Sequence, residues 1–124
     1  MKNMVVSLAL FLATTTAFAK TDFAKVCSTN SEGKLSVTEF AVDGRKVTMM
    51  VDGTLLEYEL ISKVGVNLKR ASAVAGERVI EATQYVISSP QGVSTLQIAI
   101  GASGAQYMLF MQNGIMGASS NICN

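Results

Sequence analysis

Lys46-Val47-Thr48-Met49-Met50-Val51-Asp52-Gly53-Thr54-Leu55-Leu56-Glu57-Tyr58-Glu59-Leu60 is the stretch on which the reading of this chain turns. Val47, Met49 and Val51 alternate with Lys46, Thr48 and Met50, and Leu56, Tyr58 and Leu60 alternate with Leu55, Glu57 and Glu59. A period of two places each set on one face of an extended strand. Asp52-Gly53 between the two runs is the pair that tolerates the positive φ angles of a two-residue hairpin turn. The segment therefore reads as an antiparallel hairpin with one apolar face.

Working outward, the same pattern recurs. Leu96, Ile98 and Ile100 alternate with Thr95, Gln97 and Ala99, while Asp43-Gly44 and Asn113-Gly114 supply further tight turns and Ser88 to Gly92 and Gly101 to Gly104 looser ones. Strands are expected near 24–29, 34–42, 45–51, 54–62, 83–88, 93–100, 105–112 and 115–119. In the second of these Leu35 and Val37 are out of phase with Phe40 and Val42, which predicts a bulge near Glu39. The segment 63–82 is ambiguous. A short helix near residues 77–86, following Gly76 and supported by an Arg78–Glu81 pair, competes with a long strand continuing to Ile87. The fold class is all-β: a small antiparallel meander closing as a barrel of about eight strands, with a two-layer sandwich of the same strands as the alternative.

The ends of the chain indicate a compartment. Residues 1–19 have the basic start (Lys2), apolar run (Met4 to Leu12) and small-residue exit (Ala17-Phe18-Ala19) of a cleaved signal peptide. The apolar run is too short to span a bilayer, so no membrane span is expected in the mature chain. Cleavage leaves residues 20–124 as a single domain, with 10 − 1 = 9 basic residues against 9 acidic ones. That neutrality offers no electrostatic support for nucleic-acid binding. Cys27 and Cys123 are the only cysteines. In a periplasmic or secreted protein they pair in preference to remaining free thiols, and the loop they close corresponds to roughly 4 to 5 kcal/mol in the chain-entropy model.

The side chains also exclude chemistry. With no histidine anywhere, serine triads, cysteine–histidine dyads and the commonest metal ligand are all missing. Two thiols alone are too few soft ligands for zinc, the glycines do not form a phosphate loop, and neither Asp43 nor Asp52 belongs to a calcium loop. No cofactor or metal is expected, and no enzyme activity. Glu57 and Glu59, about 7 Å apart on one strand face by the two-residue rise, read as a solvated outer face. Lys63, Lys69, Arg70 and Arg78 lack interleaved aromatic residues and read as a solvated basic loop.

Ala105 to Met116 is the stretch most suited to binding. Tyr107, Leu109 and Met111 occupy one face and Met108 and Phe110 the other, so the strand is apolar on both sides. Either the segment 63–82 covers one side, or Met108, Phe110 and Met116 line a barrel mouth or partner patch for a protein or a small apolar molecule.

Ser103-Gly104-Ala105-Gln106-Tyr107, set in an exported β domain with a cysteine near each end, resembles the periplasmic and membrane-bound inhibitors of c-type lysozyme. In that family a Ser-Gly-x-x-Tyr motif on a loop of a small barrel enters the lysozyme cleft. The resemblance implies binding roles for Ser103, Gly104 and Tyr107. The family's second motif, a Lys-Gly pair after aromatic residues, is replaced here by Gln112-Asn113-Gly114, and the chain has no tryptophan. The expected function is thus an exported, non-enzymatic binding domain, in its sharpest form an inhibitor of a wall-degrading enzyme. The alternative is a cell-envelope structural or assembly subunit that self-associates through an exposed apolar strand.

Overall fold

A computed structural model describes residues 20–29, 32–112 and 115–121. The expected signal peptide, the Asn113-Gly114 turn and Cys123 lie outside the described residues. One 3-10 turn (Lys20–Asp22) leads into β1 (Phe23–Thr29), β2 (Leu35–Asp43), β3 (Lys46–Val51) and β4 (Thr54–Gly65). Helix α1 (Leu68–Ala75) follows, then β5 (Val79–Ser89), β6 (Gly92–Gly101), β7 (Gln106–Gln112) and β8 (Ile115–Ser120). Each strand pairs antiparallel with the next, and β8 returns to β1 through Cys27 opposite Ser120, so the sheet is a closed barrel rather than a sandwich.

The turn chemistry sets the registers. Asp52 and Gly53 both take positive φ, 50° and 87°, so that Val51 faces Thr54 across a two-residue hairpin. The Asp52 carboxylate also accepts hydrogen bonds from Val37 N (2.9 Å) and the Ser36 hydroxyl (2.8 Å), locking this hairpin to β2. Those bonds, the backbone one first, hold Asp52 below the usual carboxylate range.

Alternation fills the interior. Ala24, Phe40, Val47, Tyr85, Ile87, Leu96 and Ile98 form the barrel core, with Val42, Met49, Tyr58, Leu60 and Met108 packed against it. Phe40 and Tyr85 meet edge to face with ring centroids 5.1 Å apart. Each fully buried aliphatic side chain contributes roughly 1.5–3 kcal/mol. A second cluster lies outside the barrel wall, where Ala71 of α1 covers Ala82, Ala99, Tyr107 and Leu109, with Val74 and Met116 at its margin.

Two local expectations are corrected. The helix is at 68–75, not near 77–86: the Asn67 side chain accepts from Arg70 N (3.0 Å) as N-cap, and Gly76, at φ 83°, ends the helix with a left-handed C-cap instead of preceding one. Residues 79–89 are strand because period-two burial of Thr83, Tyr85 and Ile87 outweighs one Arg–Glu pair. The β2 bulge near Glu39 does not occur, since β2 pairs in continuous register with β1 and β3. Leu35 simply points outward, 49% exposed. The register shifts lie between Leu60 and Ser62 in β4 and between Val79 and Glu81 in β5.

The basic segment is likewise not a solvated loop throughout. Lys63, on β4, places its ammonium 2.7 and 2.9 Å from the two carboxylate oxygens of Asp22. Asp22 also accepts from the Tyr85 hydroxyl at 2.7 Å, and that hydroxyl lies 2.8 Å from Thr21, itself bonded to Thr83. Tyr85 and Thr21 are fully buried. Burial, together with the neighbouring carboxylate, pushes the Tyr85 phenol well above its ordinary value. The 3-10 turn thus stoppers one end of the barrel with a hydrogen-bonded polar cluster.

Candidate functional site

The β6–β7 turn brings together the residues singled out by the Ser-Gly-x-x-Tyr motif. Gly101 N donates to Ala105 O and Gly104 N to Gly101 O, both at 2.9 Å, and Gly104 reaches φ 92°, a conformation costly for any residue with a Cβ. Ala102, Ser103 and Gly104 stand exposed at the tip, while Ala105 and Tyr107 are buried beneath. The short return explains this: the strand resumes at Gln106, so Tyr107 is already inside the ladder opposite Ala99.

A residue that the sequence did not single out organises this turn. Val79 pairs with Gly101, so Glu77, two residues earlier, runs alongside the chain that leaves Gly101. Its carboxylate accepts three hydrogen bonds: Ser103 N at 3.1 Å on Oε1, the Ser103 hydroxyl at 2.7 Å on Oε2, and the Tyr107 hydroxyl, also on Oε2. Ala102 N donates to Arg78 O at 2.8 Å, fixing the two backbones side by side. The hydrogen bond from Tyr107, then those from Ser103, hold the Glu77 carboxyl below its usual range. In return that bond, with burial, pushes the Tyr107 phenol up to about 12.

Gly101 makes room for this contact. A Cβ there would stand 2.4 Å from the Glu77 Cδ and 2.5–2.6 Å from its oxygens, closer than real Cβ atoms approach anything. Glu77 was out of reach for sequence reasoning because 26 and 30 residues separate it from Ser103 and Tyr107. The available signal was Gly76, which as a helix C-cap would have put Glu77 at the mouth of a connector.

Met108 and Phe110 share one face of β7 but differ in exposure. Met108 is half-buried against the barrel core, whereas Phe110 is 44% exposed and lies against Gly117, whose missing Cβ leaves space for the ring. The opposite face of β7, Tyr107 and Leu109, is covered by α1. Met116 packs at the edge of that same cluster, apart from Phe110.

A different strand carries an open edge. β4 pairs with β3 from Thr54 onward, but its pairing with β5 begins only at Glu59, so the backbone of Thr54 to Tyr58 is laddered on one side. Leu55 and Leu56 of this segment are 52% and 38% exposed. A cleft of about 360 Å³ lies beside it, lined by Leu56, Tyr58, Ser89, Gln91, Val93 and Ser94. Glu57 and Glu59 are exposed on the outer face, where Lys46 and Arg45 sit 3.5 and 3.7 Å away.

Among the described residues no group of histidine, cysteine or acidic side chains is arranged to hold a metal ion, and no helix is long and apolar enough to cross a membrane. Fold and site together define a closed eight-stranded antiparallel barrel that displays a braced polar turn. No family model, curated protein or solved structure matches this chain.

Proposed function

We propose that this chain is an exported, non-enzymatic binding domain whose contact surface is the β6–β7 turn, and that its partner is a wall-degrading enzyme of the c-type lysozyme kind. The observation that carries the reading is the Ser103-Gly104 tip, exposed yet held by three backbone and three carboxylate hydrogen bonds. A tip ordered before contact loses little conformational freedom on entering a cleft. Export is part of the proposal: residues 1–19 are removed and Cys27 pairs with Cys123. Two facts support that pairing, the register of Cys27 against Ser120, three positions before Cys123 in the sequence, and the absence of a free cysteine among the described residues.

Purified mature protein is expected to inhibit a c-type lysozyme stoichiometrically, and Ser103→Tyr to abolish inhibition while leaving the circular dichroism spectrum unchanged. An unaltered lysozyme rate at high micromolar protein would overturn the reading.

The open edge of β4 favours a second reading, an envelope assembly subunit that self-associates. Unladdered backbone at Thr54 to Tyr58, flanked by exposed leucines, is a template for another extended strand. Sedimentation over a hundredfold concentration range decides: a dimer that Leu55→Lys dissolves supports it, and a monomer throughout removes it.

A further inference from the structure

The open edge of β4 has a defined polarity. Leu60 N donates to Arg45 O at 2.8 Å, so Leu60 turns its backbone N–H and C=O toward the β3 side. Those groups alternate sides from residue to residue, and the register of β4 with β3 is unbroken from Thr54 to Glu59. Thr54, Leu56 and Tyr58 therefore bond to β3, and the N–H and C=O of Leu55 and Glu57 point to the open side. On one flank the edge is closed by the pair of Glu59 with Ser88, and on the other the hairpin turns at Asp52-Gly53. The open segment lies beside the Ser89–Gly92 turn, at the other end of β6 from the Ser103 tip.

We infer that a second copy of this chain pairs with that edge, antiparallel about a two-fold axis through Leu55. The inference deepens the self-association reading, on which it rests, by fixing the register. Antiparallel copies hydrogen-bond only where outward-pointing groups face each other. An axis through Glu57 sets two like charges directly opposite, which repels. An axis through Leu56 brings the second copy's Gly53 opposite Glu59, where Ser88 already stands. An axis through Leu55 gives the longest overlap that leaves Ser88 in place. Leu55 then faces Leu55 and exchanges both backbone bonds with it. Glu57 faces Gly53, which has no side chain to disturb the contact of Glu57 with Lys46 at 3.5 Å. On the outer face Leu55 lies beside Met50, and both are exposed. The two copies join these residues into one apolar stripe across the axis, and a single self-complementary contact covers both open edges.

The test uses the full mature chain over the same hundredfold concentration range. Leu55→Cys brings its two thiols to the axis, about 5.5 Å between Cα atoms. It is expected to form a disulfide-linked dimer about tenfold faster than Glu57→Cys, whose thiols this register holds apart, while wild type forms none. Hydrogen exchange on wild type needs no substitution: the Leu55 and Glu57 amides are expected to gain about tenfold protection as concentration rises, and the Leu56 amide, bonded to β3 throughout, to stay unchanged. A dimer that links equally through Leu55→Cys and Glu57→Cys overturns the inference and leaves self-association standing. A monomer at every concentration overturns both. Protection of Leu55 and Glu57 that does not depend on concentration would show the edge covered by the chain's own residues, and likewise overturns the inference.

Discussion

Replacing Tyr85 by phenylalanine removes one oxygen from the polar stopper and leaves the hydrophobic core intact. The Tyr85 ring is fully buried against Phe40, 5.1 Å between centroids, and those contacts survive the change. The lost hydroxyl binds Asp22 at 2.7 Å and lies 2.8 Å from Thr21. Neither partner is stranded, since Asp22 keeps Lys63 and Thr21 keeps Thr83. The cost is therefore expected at the lower end of the range for breaking a buried hydrogen bond, about 1–2 kcal/mol. For a domain of this size that is a fall in midpoint of roughly 5–15 °C. Tyr85→Ala, which also empties the ring's volume, is expected to cost about 3–5 kcal/mol. Urea unfolding followed by circular dichroism measures both. Equal losses for Phe and Ala would show that the hydroxyl carries the whole effect, and no loss for Phe would show that residues 20–22 do not stopper the barrel in solution.

Acidification is expected to weaken the fold as Glu77 is protonated. Its carboxyl is depressed in the folded state, so its contribution is present above the unfolded value near 4.5 and is lost as pH falls through the lower folded value. Tyr107 is raised, so its contribution is complete below the ordinary value of 10.0 and is lost as pH climbs toward about 12. Unfolding midpoints against pH in wild type and Glu77→Gln check both, with the acid limb flattened in the variant. Replacing Cys27 and Cys123 by serine is expected to lower stability by roughly 2–5 kcal/mol without changing sheet content. Intact mass before and after reduction and alkylation reports the bond itself, and two alkylatable thiols in freshly exported protein would refute the pairing.

The strands were legible because each hairpin is local. Period-two alternation from Val47 to Leu60 and from Leu96 to Ile100, punctuated by Asp43-Gly44 and Asp52-Gly53, specifies paired neighbours within a few residues of each other. The helix lies elsewhere than expected because Gly76 takes the left-handed position that ends a helix, where glycine is favoured far more than at a helix start, and the side chain that decides, Asn67, acts as a cap only once the helix exists. The bulge at Glu39 was inferred from the assumption that Leu35 must be buried, and a barrel leaves some apolar side chains outside.

What the residues determined by themselves is the all-β class, the hairpin order, the turn positions and the absence of histidine chemistry, since each depends on composition or on spacing along a short stretch. The tertiary structure alone decided the closure of the barrel, the cover that α1 lays over Tyr107 and Leu109, and the free edge of β4. It alone also paired Glu77 with Ser103 and Tyr107, and Asp22 with Lys63 and Tyr85. Those contacts join positions 26 to 63 residues apart, and no periodicity reaches that far. They exist because register, fixed one hairpin at a time, adds up around a closed sheet until distant side chains stand face to face.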